Sequence, residues 1–189
     1  MKRRVWWVAG IAIALLGLGR IARHELQVDR CLDRRQVWFA GLGCRDRVPR
    51  VDRILVEKSA HRLIAFERGR AVREMTVALG REPAEDKVRA GDDRTSEGVF
   101  PIVAHQPASA YHRALKLGYP TPARVRLARL KGVDPGGDIM IHGLPNGLGW
   151  LGTWHRMIDW TRGCVAVTDG EMDWLYQTVA DGTPVEIRA

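Results

Sequence analysis

Between Arg53 and Gly80 three short runs rich in Ile, Leu, Val and Phe follow one another: RILVEK (53–58), RLIAFERG (62–69) and AVREMTVALG (71–80). Only Ser59-Ala60 and Gly69 punctuate them. Runs of this length and composition, separated by tight turns, read as an antiparallel meander of three strands. After Gly80 the stretch REPAEDKVRAGDDRTSEG is too polar for a core element and is expected to be a long loop. Such loops inside a domain are more often functional than idle. VFPIVAH (99–105), AYHRALKLGYP (110–120), DIMIHG (138–143) and TPVEIR (183–188) add further strands.

Two helices interrupt this pattern. In TPARVRLARLKG, Thr121 caps, Pro122 suits the first turn, and Gly132 ends the helix after the partial apolar face of Val125, Leu127 and Leu130. Thr168-Asp169-Gly170-Glu171 has the spacing of a capping box and predicts a helix through Met172, Leu175 and Val179. A second long loop, Leu144 to Trp160, contains Trp150, Trp154 and Trp160. The expected product is a mainly β domain with two helices, starting near Val51.

The first segment, MKRRVWWVAGIAIALLGLGRIA, has a basic start and an uncharged apolar run from Val5 to Gly19. This is the pattern of an export signal or membrane anchor. Fifteen helical residues rise about 22 Å, short of a hydrocarbon core of about 30 Å. Gly17-Leu18-Gly19 is the best small-residue cleavage candidate, so residues 1–22 stand as either signal peptide or anchor. In both cases Lys2 to Arg4 stay cytoplasmic and the remainder is expected in the periplasm, with the inner membrane as partner if the segment is retained. Of the formal charge of +8, Lys2, Arg3, Arg4 and Arg20 account for half, leaving 26 basic and 22 acidic residues. There is no lysine-rich tract and no aromatic interleaving, so no nucleic-acid partner is expected.

Export governs the reading of the three cysteines. Cys31 and Cys44 bracket CLDRRQVWFAGLGC, a stretch small enough for one bridge, inside an arginine-rich linker of residues 23–50. Their pairing leaves Cys164 as an odd thiol in an oxidising compartment, which shifts it towards chemistry. A cysteine nucleophile needs a base, donors for an oxyanion, and something to orient the base. His142, at a strand end before Gly143, is better held than His155 in the loop. Arg162 favours the thiolate, Gly163 leaves room for close approach, and the N–H of Gly163 or Cys164 can serve the oxyanion. Asp159 fits either a histidine contact or a loop contact, the latter being the simpler.

IHG (141–143) followed by TRGCVAV (161–167) resembles the signature of the L,D-transpeptidase catalytic domain, also called the YkuD-type domain. GDDRTSEGVFPI (91–102), SAYHRALKLGYP (109–120), IHGLPNG (141–147) and DWTRGCVAVTDGEM (159–172) resemble, in order, the blocks of its YafK-like branch. The similarity runs from about Val51 to Arg188. It implies an L,D-transpeptidase-like β-sandwich or barrel that works without a cofactor or metal on peptidoglycan stem peptides. In that family the cysteine attacks the carbonyl after the L-centre of meso-diaminopimelate, and an amine or water resolves the acyl-enzyme.

By motif position, the resemblance makes Cys164 the nucleophile and His142 the general base, with Gly143 orienting the base and Gly163 at the oxyanion. Thr161, Arg162, Arg94 and His155 are the expected substrate contacts. The chain departs from the pattern at Arg162, where a histidine is usual, and at Ala166, where Arg or Asn is common. Two alternatives accompany the transpeptidase reading. One is a hydrolase of diaminopimelate-linked bonds, releasing for instance a peptidoglycan-linked lipoprotein. The other is an inactive peptidoglycan-binding module in which Cys164 is merely buried. A metal site of His142, His155, Asp159 and Cys164 fits no known zinc spacing. Trp150, Trp154, Trp160 and Trp174 are expected as core or loop anchors, Tyr111 and Tyr119 as packing residues, and His61, His105 and His112 as strand-surface or core residues.

Overall fold

β-Branched and aromatic residues build a single eight-stranded sheet in the computed structural model, which describes residues 49–189 and the backbone of 37–39 and 43–45. The chain divides into two compact units, Met1–Pro49 and Arg50–Ala189. In the first, β1 (Val37–Phe39) and β2 (Gly43–Arg45) pair antiparallel, with Trp38 opposite Cys44. The expected linker therefore contains a hairpin. The export segment and the Cys31–Cys44 bridge lie outside the described residues. No described helix is long and apolar enough to cross a membrane.

The second unit opens with the meander: β3 (Arg53–Glu57), β4 (Arg62–Glu67) and β5 (Arg70–Thr76), antiparallel throughout. β6 (Gly98–Ser109) and β7 (His112–Leu117) form a long hairpin, followed by α1 (Pro122–Leu130), β8 (Met140–His142) and a 3-10 segment (Gly149–Met157). The two-residue strand β9 (Val165–Ala166), α2 (Asp169–Thr178) and β10 (Pro184–Arg188) complete the chain. Strand order is β5-β4-β3-β10-β6-β7-β8-β9. The last strand thus enters the middle of the sheet, parallel to β3 and antiparallel to β6. β3 thus has a neighbour on each edge, and Ile54, Leu55 and Val56 are buried on both of its faces.

The two ends of the sheet meet. β5 is largely exposed as far as Thr76, yet Val77 to Gly80 are wholly buried. The change occurs where Ala78 leaves β4 and exchanges hydrogen bonds with Ala166 of β9, at 3.0 and 2.8 Å. Thr161 continues the contact, donating its N–H to Leu79 O and accepting from Arg81 N–H. Closure of this kind removes the exposed edges of a sheet. Inside, Ile54, Leu63, Phe100, Ile102, Leu115, Ile141, Met172 and Leu175 form one core, each contributing about 1.5–3 kcal/mol by burial.

Both helices form where capping signals placed them. Thr121 Oγ1 accepts from Arg124 N–H at 3.3 Å, with Pro122 in the first turn. Thr168 and Glu171 complete the capping box, and α2 buries Met172, Leu175 and Thr178. It packs against β7 and β8, directly behind the strand that ends in His142. Replacement of Thr168 by Ala is expected to cost about 1 kcal/mol, lowering Tm by about 3 °C in a thermal melt.

Candidate active site

β8 puts His142 between two strands. Its register partners are Ala114 of β7 and Ala166 of β9, the latter in parallel pairing. Cys164 precedes β9 by one residue, so it extends the ladder opposite Met140 and shares with His142 one face of the sheet. Strand spacing of about 4.8 Å and a rise of about 3.3 Å per residue put their Cα atoms roughly 8 Å apart. That is side-chain reach for a thiol and an imidazole.

The His142 ring is buried, and its Nδ1 donates to Gly143 O at 2.7 Å. A carbonyl only accepts, so the proton sits on Nδ1 and Nε2 keeps its lone pair. Burial holds the imidazole below its ordinary pKa, and the Gly143 bond opposes that shift only in part. Gly143 is confined in turn. A Cβ there would lie 2.7 Å from Asp169 Oδ1 and 3.0 Å from His112 Cβ. Asp169, at the start of α2, also accepts from Leu144 N–H at 2.8 Å. Tyr111 covers the imidazole at 4.5 Å between ring centroids, and Trp160 meets it edge-on at 5.6 Å.

Cys164 is half-buried and is the one free cysteine among the described residues. Burial pushes its thiol up; a hydrogen bond from Met140 N–H and the charge of Lys87 act the other way, and Asp138 raises it again. Sγ donates to Asp138 O at 3.5 Å. The turn before it is shaped by Thr161, whose Oγ1 donates to Cys164 O at 2.8 Å and accepts from Gly163 N–H at 3.1 Å.

These bonds bear on two of the expected roles. The N–H of Gly163 is already paired with Thr161 Oγ1, and the Thr161 hydroxyl is engaged within the turn. Gly163 does provide close approach, but towards the protein. It has φ +119, and a Cβ would lie 2.5 Å from Arg94 O. A Cβ on Gly80 would come within 2.2 Å of Asp93 O and 3.1 Å of Gly163 Cα.

The polar loop after β5 therefore forms a wall of the site. Asp92 organises it, accepting from Lys87 Nζ and Val88 N–H at 2.7 Å, Arg89 N–H at 2.9 Å and Arg94 N–H at 3.2 Å. Burial raises the Asp92 carboxyl, but the Arg89, Lys87, Val88 and Arg94 donors together outweigh it and hold the group at about 2. Lys58 ties Glu97 at 2.6 Å and Glu85 O at 2.9 Å, and Arg124 of α1 ties Asp86 and Glu97 O. The Arg94 side chain pairs with Glu85 at 2.8 Å, so its main chain, not its guanidinium, faces Gly163. Arg162 is exposed beside the thiol.

His155 is buried in the 3-10 segment, edge-on to Trp160 at 6.5 Å, and lacks a hydrogen-bond partner on either nitrogen. Burial lowers its pKa to about 4, with Arg156 adding to the effect. Asp159 does not join it. One carboxylate oxygen meets His61 Nε2 at 2.8 Å and the other accepts from Leu79 N–H at 2.7 Å. Among the described residues no three His, Cys, Asp or Glu side chains gather to hold a metal ion. His105 and His112 pair with Asp181 and Asp173. Of the tryptophans expected as anchors, Trp160 and Trp174 are half-buried, whereas Trp150 and Trp154 stand in solvent. Tyr119 packs, with its hydroxyl on Pro135 O, but Tyr111 belongs to the site.

A thiol and an imidazole on adjacent sheet strands are the pair that a cysteine nucleophile and its base would require. The family model of the L,D-transpeptidase catalytic domain matches residues 51–187, and the chain belongs to that family. Among solved structures it is similar to the helical cell shape determining protein Pgp2 from Campylobacter jejuni: 25% identity, TM-score 0.56, 74% of this chain and 48% of that one. It is also similar in fold to Bd1075 from Bdellovibrio bacteriovorus: 21% identity, TM-score 0.51, 74% of this chain and 47% of that one. The chain thus spans less than half the length of either protein. None of the curated proteins matches it.

Two outcomes follow from this geometry. Gly163→Ala forces a Cβ onto Arg94 O in a backbone region unfavourable for alanine, and is expected to cost about 1–3 kcal/mol in thermal melts. It should also change the alkylation rate of Cys164. Stability supplied by Asp92 is complete above the unfolded value of about 3.9 and is lost as pH falls towards about 2, a loss that Asp92→Asn should abolish in acid melts.

Proposed function

We propose that this chain is a periplasmic cysteine L,D-transpeptidase of the YafK-like branch, acting on meso-diaminopimelate-containing stem peptides through a Cys164 acyl-enzyme. The observation that carries the reading is the Nδ1 bond of His142 to Gly143 O, which leaves a basic Nε2 on the sheet face shared with Cys164. In this mechanism Nε2 takes the thiol proton as Sγ attacks the carbonyl following the L-centre of diaminopimelate. The C–N bond then breaks, and the imidazolium returns its proton to the leaving amine. A second amine, or water, attacks the thioester and regenerates the thiol. With the Gly163 N–H committed to Thr161, the Cys164 N–H is the remaining candidate from the sequence for the oxyanion. Arg162, exposed beside the thiol, supplies positive charge for a stem-peptide carboxylate. The likeness to Pgp2, a cell shape determining protein, supports a cell-wall role, and export by residues 1–22 would bring the domain to that substrate.

Burial favours the neutral form of both partners, so the resting pair is thiol and imidazole rather than thiolate and imidazolium. The acid limb of kcat/KM is therefore expected below about 6.5, the ordinary histidine value. Alkylation of Cys164 by iodoacetamide should climb through and beyond about pH 8.5 without an acidic plateau. His142→Asn should lower kcat/KM by about 10²–10⁴.

Mass spectrometry of tetrapeptide and lipoprotein-linked muropeptides incubated with the protein tests the reaction. Linked dimers absent with Cys164→Ala are the expected result. Release of linked peptide without dimers would assign the hydrolase instead, and a folded protein whose Cys164 neither alkylates nor acylates with a carbapenem would be a binding module.

A further inference from the structure

Beside the site, one stretch presents four large apolar side chains to solvent: Trp150 at 78% exposure, Trp154 at 75%, Met157 at 77% and Ile158 at 69%. Isolated exposed hydrophobes need no explanation, but a set this close in sequence marks a binding surface. The stretch ends at Trp160, whose ring lies 5.6 Å from that of His142. Its buried side is polar and unsatisfied. Both ring nitrogens of His155, Nε of Arg156 and Nε1 of Trp160 are buried without hydrogen-bond partners. The segment thus shows apolar rings to water and unpaired polar atoms to the protein, and leaving such atoms unpaired is costly.

Charge narrows the ligand. Between Leu148 and Trp160 the ionisable groups other than His155 are Arg156, paired with Glu171, and Asp159, paired with His61 and Leu79 N–H. The outer face carries no uncompensated charge, so it suits a neutral ligand with apolar faces and hydrogen-bonding edges. Pyranose rings have that character: C–H faces that stack on indole, with hydroxyl and acetamide groups around the rim. A lipid surface or a second copy of the chain would cover the same apolar side chains, and each gives its own outcome in the experiment.

We propose that Leu148–Ile158 is a saccharide platform on which Trp150 and Trp154 stack against an N-acetylated amino-sugar strand. The strand is held there while its stem peptide enters the site. Gly152, at φ 48 and ψ −127, kinks the segment between Trp150 and Trp154. This inference rests on the stem-peptide reading for its biological sense, but its test does not.

The full chain carrying Cys164→Ala is titrated with a peptide-free β-1,4-linked N-acetylglucosamine oligomer, followed by tryptophan fluorescence and calorimetry. Saturable binding is expected. Trp150→Ala and Trp154→Ala should each weaken it about tenfold, with Tm unchanged within about 2 °C because both side chains are exposed. No saturable binding, or binding indifferent to both substitutions, overturns the platform. So does tryptophan-dependent capture by phosphatidylglycerol vesicles or tryptophan-dependent dimerisation in place of sugar binding. Oligomer binding by a chain whose Cys164 is inert would sink the enzymatic reading and leave the platform standing. Turnover of free tetrapeptide with no oligomer binding would do the reverse.

Discussion

The two main-chain hydrogen bonds between Ala78 and Ala166 hold the molecule's chemistry together. Without them β9 would be a two-residue edge, too short to be stable, and Cys164 would sit on a free end. With them, the chain leaving β5 is drawn across to the far side of the sheet. Gly80 then lies against Gly163, and the polar loop that follows is brought beside Cys164. Closure and site formation are one event, because the residues that join the sheet flank the residues that would react.

The loop shows how a polar stretch can be as well fixed as a strand. Asp92 draws four donors onto one carboxylate, and Lys58, Lys87 and Arg124 tie the loop to the end of β3, to itself and to α1. Each charge is matched by an acid or a carbonyl, which is how buried ions are tolerated. The loop supplies shape through its backbone and a positive field through Lys87, whose charge opposes the effect of burial on the Cys164 thiol. The imidazole and thiol are both driven towards neutrality, so charge develops only as substrate is attacked. Fixed dipoles contribute most in that situation.

Local patterns carried most of the fold in the sequence. The meander, the β6–β7 hairpin, β8 and both helix caps follow from short-range signals: alternation, tight turns, Thr121-Pro122 and the Thr168–Glu171 box. Long-range pairings left no such trace. Nothing near Pro184 announces that β10 inserts beside β3, and Val165-Ala166 is too short to read as a strand. In the site, the IHG and RGC stretches single out His142 and Cys164 in the sequence, and the fold sets both on one face of the sheet. Tyr111 escaped because its role depends on a turn that brings it over His142, and Asp92 because its partners are mostly backbone N–H groups. Trp150 and Trp154 depart from the expected packing, because composition favours burial of large apolar side chains and these stand in solvent.

Cys164 is seated by main chain against main chain: Gly163 on the Arg94 carbonyl, Gly80 on the Asp93 carbonyl, and a threonine hydroxyl closing the turn. Side chains flanking the thiol are therefore spared from holding it. Residue 162 is exposed and takes no part in holding the turn, so its side chain is left to face a ligand. An inhibitor designed for this site would find only main chain to grip in the seat, and its side-chain contacts would begin at the exposed rim formed by Arg162.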